Sequence, residues 1–457
     1  MALKAITAPL PALTLAVLTF YVSLSFALSN VDLRLIEAVQ NRDHSQIKAL
    51  MKQPIDLDIT QPNGTTALAW AVHLQDHAIA KLLLTAKVNV NTRDEYGDSP
   101  LTLACFNGDS HLVQKLLEAG ANPNATRWSG ETALMLAAAS GATDSVELLL
   151  AKGVDLDSIE SQRGQNALMW AASEGHNKVV EVLIREGANV NATSKTGFTA
   201  SAFAVIQNDL SSINLLLKAG ADPNGGRPYG ASLLNIASAY QNPDIVRVLL
   251  DAGADFMAAD NDGKTPLYSA SESGDLESVA MLLELGADPN QATTEKILNN
   301  HGGLERKDAG LTPLLVASQK GYLEVMKRLI NAGANPKART QDGATLLMQA
   351  ARSTRMSVIA YAYSLDNDVT AKTSANRTVM HSAVSPSRVH YTVSEDDICN
   401  VIQFLSKHGA DPDPQGKGGW TPISMADRVP YEKAARLLYE LTMAAGQKPK
   451  ILPNEFR

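Results

Sequence analysis

A glycine that returns every 33 residues constrains this chain more than any other feature. From Gly64, equivalents stand at Gly97, Gly130, Gly164, Gly197, Gly230, Gly263, Gly310, Gly343 and Gly419, with Val31 and Asn376 filling the same phase. Most intervals are 33 residues, one is 34, and two stretch to 47 and 43. Seven residues after each mark stands an alanine: Ala38, Ala71, Ala104, Ala137, Ala171, Ala204, Ala237, Ala270, Ala317, Ala350, Ala383 and Ala426. A position that accepts nothing larger than a methyl marks the close approach of two helices. Four residues after the mark, nine of twelve positions are Leu, the exceptions being Met380, Ile423 and Ser201. Such a period describes a chain that adds core by stacking units rather than by enlarging one globule.

Each unit reads as two helices. Thr265-Pro266-Leu267 and Thr312-Pro313-Leu314 open the first. Thr caps the orphan N–H groups there, and Pro fits the first helical position. The second helix carries apolar residues at helical spacing, as in Val179, Val180, Leu183 and Ile184. It stops at Gly120, Gly153, Gly187, Gly220, Gly253, Gly286, Gly333 or Gly409, where the left-handed conformation ends a helix. A polar hairpin returns to the next mark.

The unit resembles the ankyrin repeat. Asp262-Gly263-Lys264-Thr265-Pro266-Leu267 matches that family's D-G-x-T-P-L, and Leu282-Leu283-Glu284-Leu285-Gly286-Ala287-Asp288-Pro289-Asn290 its L-L-x-x-G-A-D-x-N. The resemblance covers roughly residues 30 to 445. It implies an all-α solenoid of about twelve helix-turn-helix repeats, joined by short β-hairpins into a curved right-handed stack. The family's His after T-P-L appears only at His381; Met135, Met169, Met348, Tyr268 and Asn235 stand at that position elsewhere. The hydrogen bonds that this His usually makes are therefore expected to be mostly absent.

The ends and insertions complete the layout. Residues 1–27 read as a signal peptide: Lys4 gives a positive start, an apolar run extends from Ala5 to Leu28, and Ser25-Phe26-Ala27 offers a small-x-small cleavage site. The run is also long enough to serve as an uncleaved membrane anchor. Residues 28–62 read as an N-terminal capping repeat, 63–418 as repeats, 419–445 as a C-terminal capping repeat, and 446–457 as a loose tail. Insertions interrupt the period near 291–308 and 385–395. The Gly343 repeat is the least regular, with Asp366 in place of the stop glycine and Tyr361-Ala362-Tyr363 in place of an aliphatic run.

Nothing in the sequence assembles an active site. There is no HExxH or GxSxG, and Gly263-Lys264-Thr265 lacks the earlier glycine of a phosphate loop because position 258 is Ala258. Cys105 and Cys399 stand alone and form no CxxC pattern. His73 and His77 are four apart, with a loop expected between them and no third ligand nearby in sequence. Trp70 and Trp170 share a phase with Leu103 and Leu136 and read as packing. A net charge of −8, with both signs mixed along the chain, shows no basic stripe for nucleic acid. No cofactor, metal or catalytic residue is assigned.

By the resemblance, such solenoids bind proteins on a concave side built from hairpin tips and inner-helix ends. In this chain the tips supply Tyr96, Arg127, Trp128, Phe198, Arg227 and Tyr229, and the helix ends supply Phe106 and Tyr240. Tyr, Trp and Arg are the residues most enriched at binding hot spots. The expectation is a noncatalytic scaffold, exported to the periplasm or beyond the cell, that binds a protein partner and is itself a monomer. The alternative is a secreted inhibitor or host-directed effector that masks another protein's active site. Membrane contact would come only through a retained N-terminal segment.

Overall fold

A computed structural model describes residues 33–226, 230–294, 309–385, 393–429 and 431–450. The signal segment 1–27 and the greater part of both insertions lie outside the described residues.

The chain divides into two units, one ending at Asp222 and one beginning at Pro223. Each is a series of helix pairs. The first holds α1 (Arg34–Gln40), α2 (His44–Leu50), α3 (Ala67–His73), α4 (His77–Thr85), α5 (Pro100–Phe106), α6 (Ser110–Glu118), α7 (Ala133–Ala139), α8 (Thr143–Leu150), α9 (Ala167–Ser173), α10 (Asn177–Arg185), α11 (Ala200–Ile206) and α12 (Leu210–Lys218). The second holds α13 (Leu233–Ala239), α14 (Pro243–Asp251), α15 (Pro266–Ser273), α16 (Leu276–Glu284), α17 (Pro313–Lys320), α18 (Leu323–Asn331), α19 (Leu346–Ala351), α20 (Met356–Leu365), α21 (Val379–Ala383), α22 (Glu395–Lys407), α23 (Pro422–Arg428) and α24 (Glu432–Ala444). Odd-numbered inner helices pack on one another within each unit, and even-numbered outer helices do the same from α4 to α12 and from α14 to α24.

The core follows the period. All twelve phase alanines are buried, together with most of the leucines three residues before them. Thr66, Ser99, Thr132, Asn166 and Thr199 cap the inner helices α3 to α11 of the first unit. Asp43, Asp76, Asp109 and Asp209 cap outer helices α2, α4, α6 and α12. The stop glycines sit at positive φ, from +73° at Gly153 to +93° at Gly187. Where Asp366 replaces the glycine, α20 ends in extended backbone instead.

Three expectations are corrected. First, the hairpins carry no β-ladder: among the described residues there are only two isolated bridges, Thr60 to Thr66 and Thr126 to Thr132. The arms are too short to repeat a pair. Within each unit, backbone bonds tie described tips to the next, as from Glu95 N–H to the Asn63 carbonyl (2.8 Å) and from Ser161 N–H to the Ser129 carbonyl (2.9 Å). The C-terminal unit repeats this from Gln341 to Ala309 and from Lys417 to Ala375.

Second, the bonds of the missing histidine are partly supplied by other residues. His381 Nδ1 lies 3.2 Å from the Thr378 N–H group, which it accepts, and His381 Nε2 lies 3.2 Å from the Trp420 carbonyl. At the same phase, Asn235 Nδ2 donates to the Lys264 carbonyl at 2.9 Å. Thr102 Oγ1, Met135 Sδ and Ser424 Oγ each accept the N–H of their own helix cap.

Third, the start of the tail is held. Gln447 N–H donates to the Thr442 carbonyl, and Lys450 N–H donates to the buried Asp413 carboxylate at 3.1 Å.

Candidate functional site: exposed aromatics on the hairpin tips

Tyr96 and Trp128 occupy the tips of consecutive hairpins in the N-terminal unit, and Phe106 ends the inner helix α5 between them. They are 55%, 65% and 50% exposed, whereas most other large apolar residues among those described line the core. Their seating follows from the tip geometry. Gly97 turns the chain at φ +84°, and the Trp128 N–H donates to the Tyr96 carbonyl at 3.2 Å. Asp94 Oδ1 accepts the N–H groups of Tyr96 (2.9 Å) and Asp98 (2.8 Å), closing the turn.

Two arginines brace the aromatic side chains. The Arg93 guanidinium stands 4.8 Å from the centroid of the Trp128 indole and bonds the Thr126 carbonyl and hydroxyl of the next hairpin. The Arg127 guanidinium stands 5.2 Å from the Phe106 ring. Arg127 also pairs with Asp98 at 2.7 Å and Glu131 at 3.3 Å. Burial acts to lower the Arg127 pKa, but Asp98 and then Glu131 outweigh it and hold the group above its ordinary value. Asp94 is shifted the other way for a carboxylate: burial, with the like charge of Asp98, raises it. The arrangement is three exposed rings on a charge-paired base, suited to contact and desolvation rather than to proton transfer.

The remaining predicted residues fall elsewhere. Phe198 is a correction: it is 2% exposed and stacks on Phe203 with centroids 5.0 Å apart. Its N–H makes the turn bond of this phase, to Ser194 Oγ at 2.9 Å, and the apolar Phe203 gives the ring a place to bury. Arg227 and Tyr229 lie outside the described residues. Tyr240 belongs to the C-terminal unit, where it follows α13 half-buried and burial raises its hydroxyl pKa. Trp420, also in that unit, is exposed beneath the Arg428 guanidinium at 5.2 Å.

Sequence reading missed Arg93, Asp98 and Glu131. The signal was the period itself, since Asp98 and Arg127 are 29 residues apart and Arg93 and Thr126 are 33.

The match to a protein family agrees with this architecture. The family described as ankyrin repeats (3 copies) matches residues 35–127, 125–194, 200–293, 292–373 and 314–392. No curated protein matches the chain. Among solved structures, the crystal structure of the human ASB11 ankyrin repeat domain is similar at 26% identity, with 51% of this chain and 97% of that one covered and a TM-score of 0.44. The chain belongs to the ankyrin repeat family, and its repeats are those of a protein–protein interaction scaffold.

Proposed function

We propose that this chain is an exported, noncatalytic scaffold that holds a protein partner on the tip surface formed by Tyr96, Phe106 and Trp128. The observation that carries this reading is the exposure of three rings on a seat fixed by Arg93, Arg127 and the tip-to-tip backbone bond. Braced aromatics lose little side-chain entropy on binding, and desolvated Trp and Tyr anchors dominate interface energies. Export rests on the apolar run from Ala5 to Leu28 and the Ser25-Phe26-Ala27 site. No described helix is long and apolar enough to cross a membrane.

The test is capture of partners from the native compartment by the wild type beside a Tyr96→Ala, Phe106→Ala, Trp128→Ala variant, with circular dichroism to show that the variant folds. Each truncation at a hot spot removes more than about 1 kcal/mol, so a partner held by the wild type should be lost from the triple variant. A partner held equally by both would sink the assignment of this surface. Fractionation of cells tests export directly, and a chain found wholly in the cytoplasm would refute that part.

A further inference from the structure

His77 and His111 belong to different repeats, yet their Nδ1 atoms lie 2.9 Å apart, with the rings stacked at 26° and centroids 5.0 Å apart. His73, four residues before His77, lies across the expected loop at the end of α3, edge-on to Trp70. From this arrangement we propose that His77 and His111 form a two-histidine chelate for a divalent transition-metal ion of right-angled coordination, Cu2+ or Ni2+.

Three features support the site. His77 Nε2 lies 2.8 Å from Asp109 Oδ2, while Asp109 Oδ1 accepts the Leu112 N–H as the cap of α6. The carboxylate accepts a hydrogen bond from Nε2–H of the neutral His77 ring, so His77 Nδ1 accepts from His111 Nδ1–H, and an arriving ion displaces that one proton. The Asp109–His77 pair is the carboxylate–histidine arrangement that orients metal-binding imidazoles and raises their basicity. Second, the spacing, held in the metal-free chain by the hydrogen bond between the two rings, suits a right-angled ion. Two metal–nitrogen bonds of about 2.05 Å place their nitrogens about 2.9 Å apart at a right angle, but about 3.3 Å apart in a tetrahedron. Third, both imidazoles are exposed, so an ion and its waters can enter. Among the described residues no group of three His, Cys, Asp or Glu could hold a metal, so water fills the other positions. Bound there, the ion ties α4 to α6 across a repeat boundary.

The experiment is calorimetric titration of the tag-free full chain with Cu2+, Ni2+ and Zn2+ salts, paired with thermal melts. The expected result is one ion per chain, held in the order Cu2+, Ni2+, Zn2+ on this geometry, and a higher melting temperature with Ni2+. His77→Ala and His111→Ala should each abolish both effects. Asp109→Asn keeps a good helix cap and should weaken binding about 10- to 100-fold. Failure of the wild type to take up metal at millimolar concentration would overturn the proposal, as would equal uptake by the His77→Ala/His111→Ala double variant. Preference for Zn2+ over Cu2+ would overturn the right-angled geometry.

Discussion

Arg127 Nε lies 2.7 Å from Asp98 Oδ1, joining one hairpin tip to the residue that precedes the helix cap of the repeat before it. The side chains are only 18% and 11% exposed, so solvent screens the pair weakly. Removing one partner leaves the other part-buried without its counter-charge. Arg127→Met should therefore destabilise the N-terminal unit by about 1–3 kcal/mol. Asp98→Asn should cost less, because an amide oxygen can still accept from Arg127. A double-mutant cycle read by chemical denaturation checks this; additive effects would show that the two residues do not act together.

Gly97 is required twice over at the tip. Its φ of +84° strains any side chain, and a Cβ there would come within 2.7 Å of the Trp128 backbone nitrogen. Gly97→Ala should cost more than about 1 kcal/mol and break the Trp128–Tyr96 backbone bond. The loss of tip order should appear as increased amide exchange at Trp128. Unchanged exchange would mean that the tips are not coupled through this bond.

The features legible in the sequence were those that admit one kind of residue. The twelve alanines mark helix contacts where a larger side chain has no room, and the stop glycines mark positive φ. What could not be read were positions where several chemistries do one job. Asn235 reaches the Lys264 carbonyl as His381 reaches that of Trp420, and Met135 accepts an N–H through sulfur. Phe198 shares its phase with the ion-paired Asp98 and the exposed Trp420, yet is buried. Its direction depends on Phe203 five residues on, a pairing that phase alone does not reveal. The base under the tip aromatics was hidden for a similar reason, since its Arg127–Asp98 pair and the Arg93–Thr126 bonds cross between repeats.

The asparagine that ends several hairpin entries links repeats through two bonds. Asn191 Nδ2 donates to the Gly220 carbonyl at 3.1 Å, and its Oδ1 accepts the Asp222 N–H at 2.8 Å. Asp157 holds this place one repeat earlier and makes only the second kind of bond, to Asn189 N–H at 3.1 Å. Asp157→Asn supplies the missing donor for the Gly187 carbonyl. The variant should be more stable by about 0.5–1.5 kcal/mol, measured by denaturation at neutral pH. A destabilised variant would show that Asp157 serves another purpose.

His381 gives the stack a dependence on acid. With Nδ1 accepting the Thr378 N–H, the neutral ring keeps its proton on Nε2, directed at the Trp420 carbonyl. Protonating Nδ1 would set two donors against each other. Burial, reinforced by Arg377, lowers the pKa below the ordinary 6.5, although the Trp420 carbonyl and nearby Asp413 and Asp411 act in the opposite sense. A depressed folded-state pKa means that the unfolded chain binds the proton more readily. The stability tied to this residue is therefore present above the unfolded pKa and lost as pH falls through the folded one. The wild type should lose stability below about pH 6.5 more steeply than His381→Asn, whose amide can still donate to Trp420 as Asn235 does to Lys264. His381→Ala should cost about 1–3 kcal/mol at neutral pH by orphaning both partners, and His381→Asn should recover most of that. Denaturation of the three proteins between about pH 5 and 7.5 decides the matter, and parallel pH profiles for the wild type and His381→Asn would rule out His381 as the source.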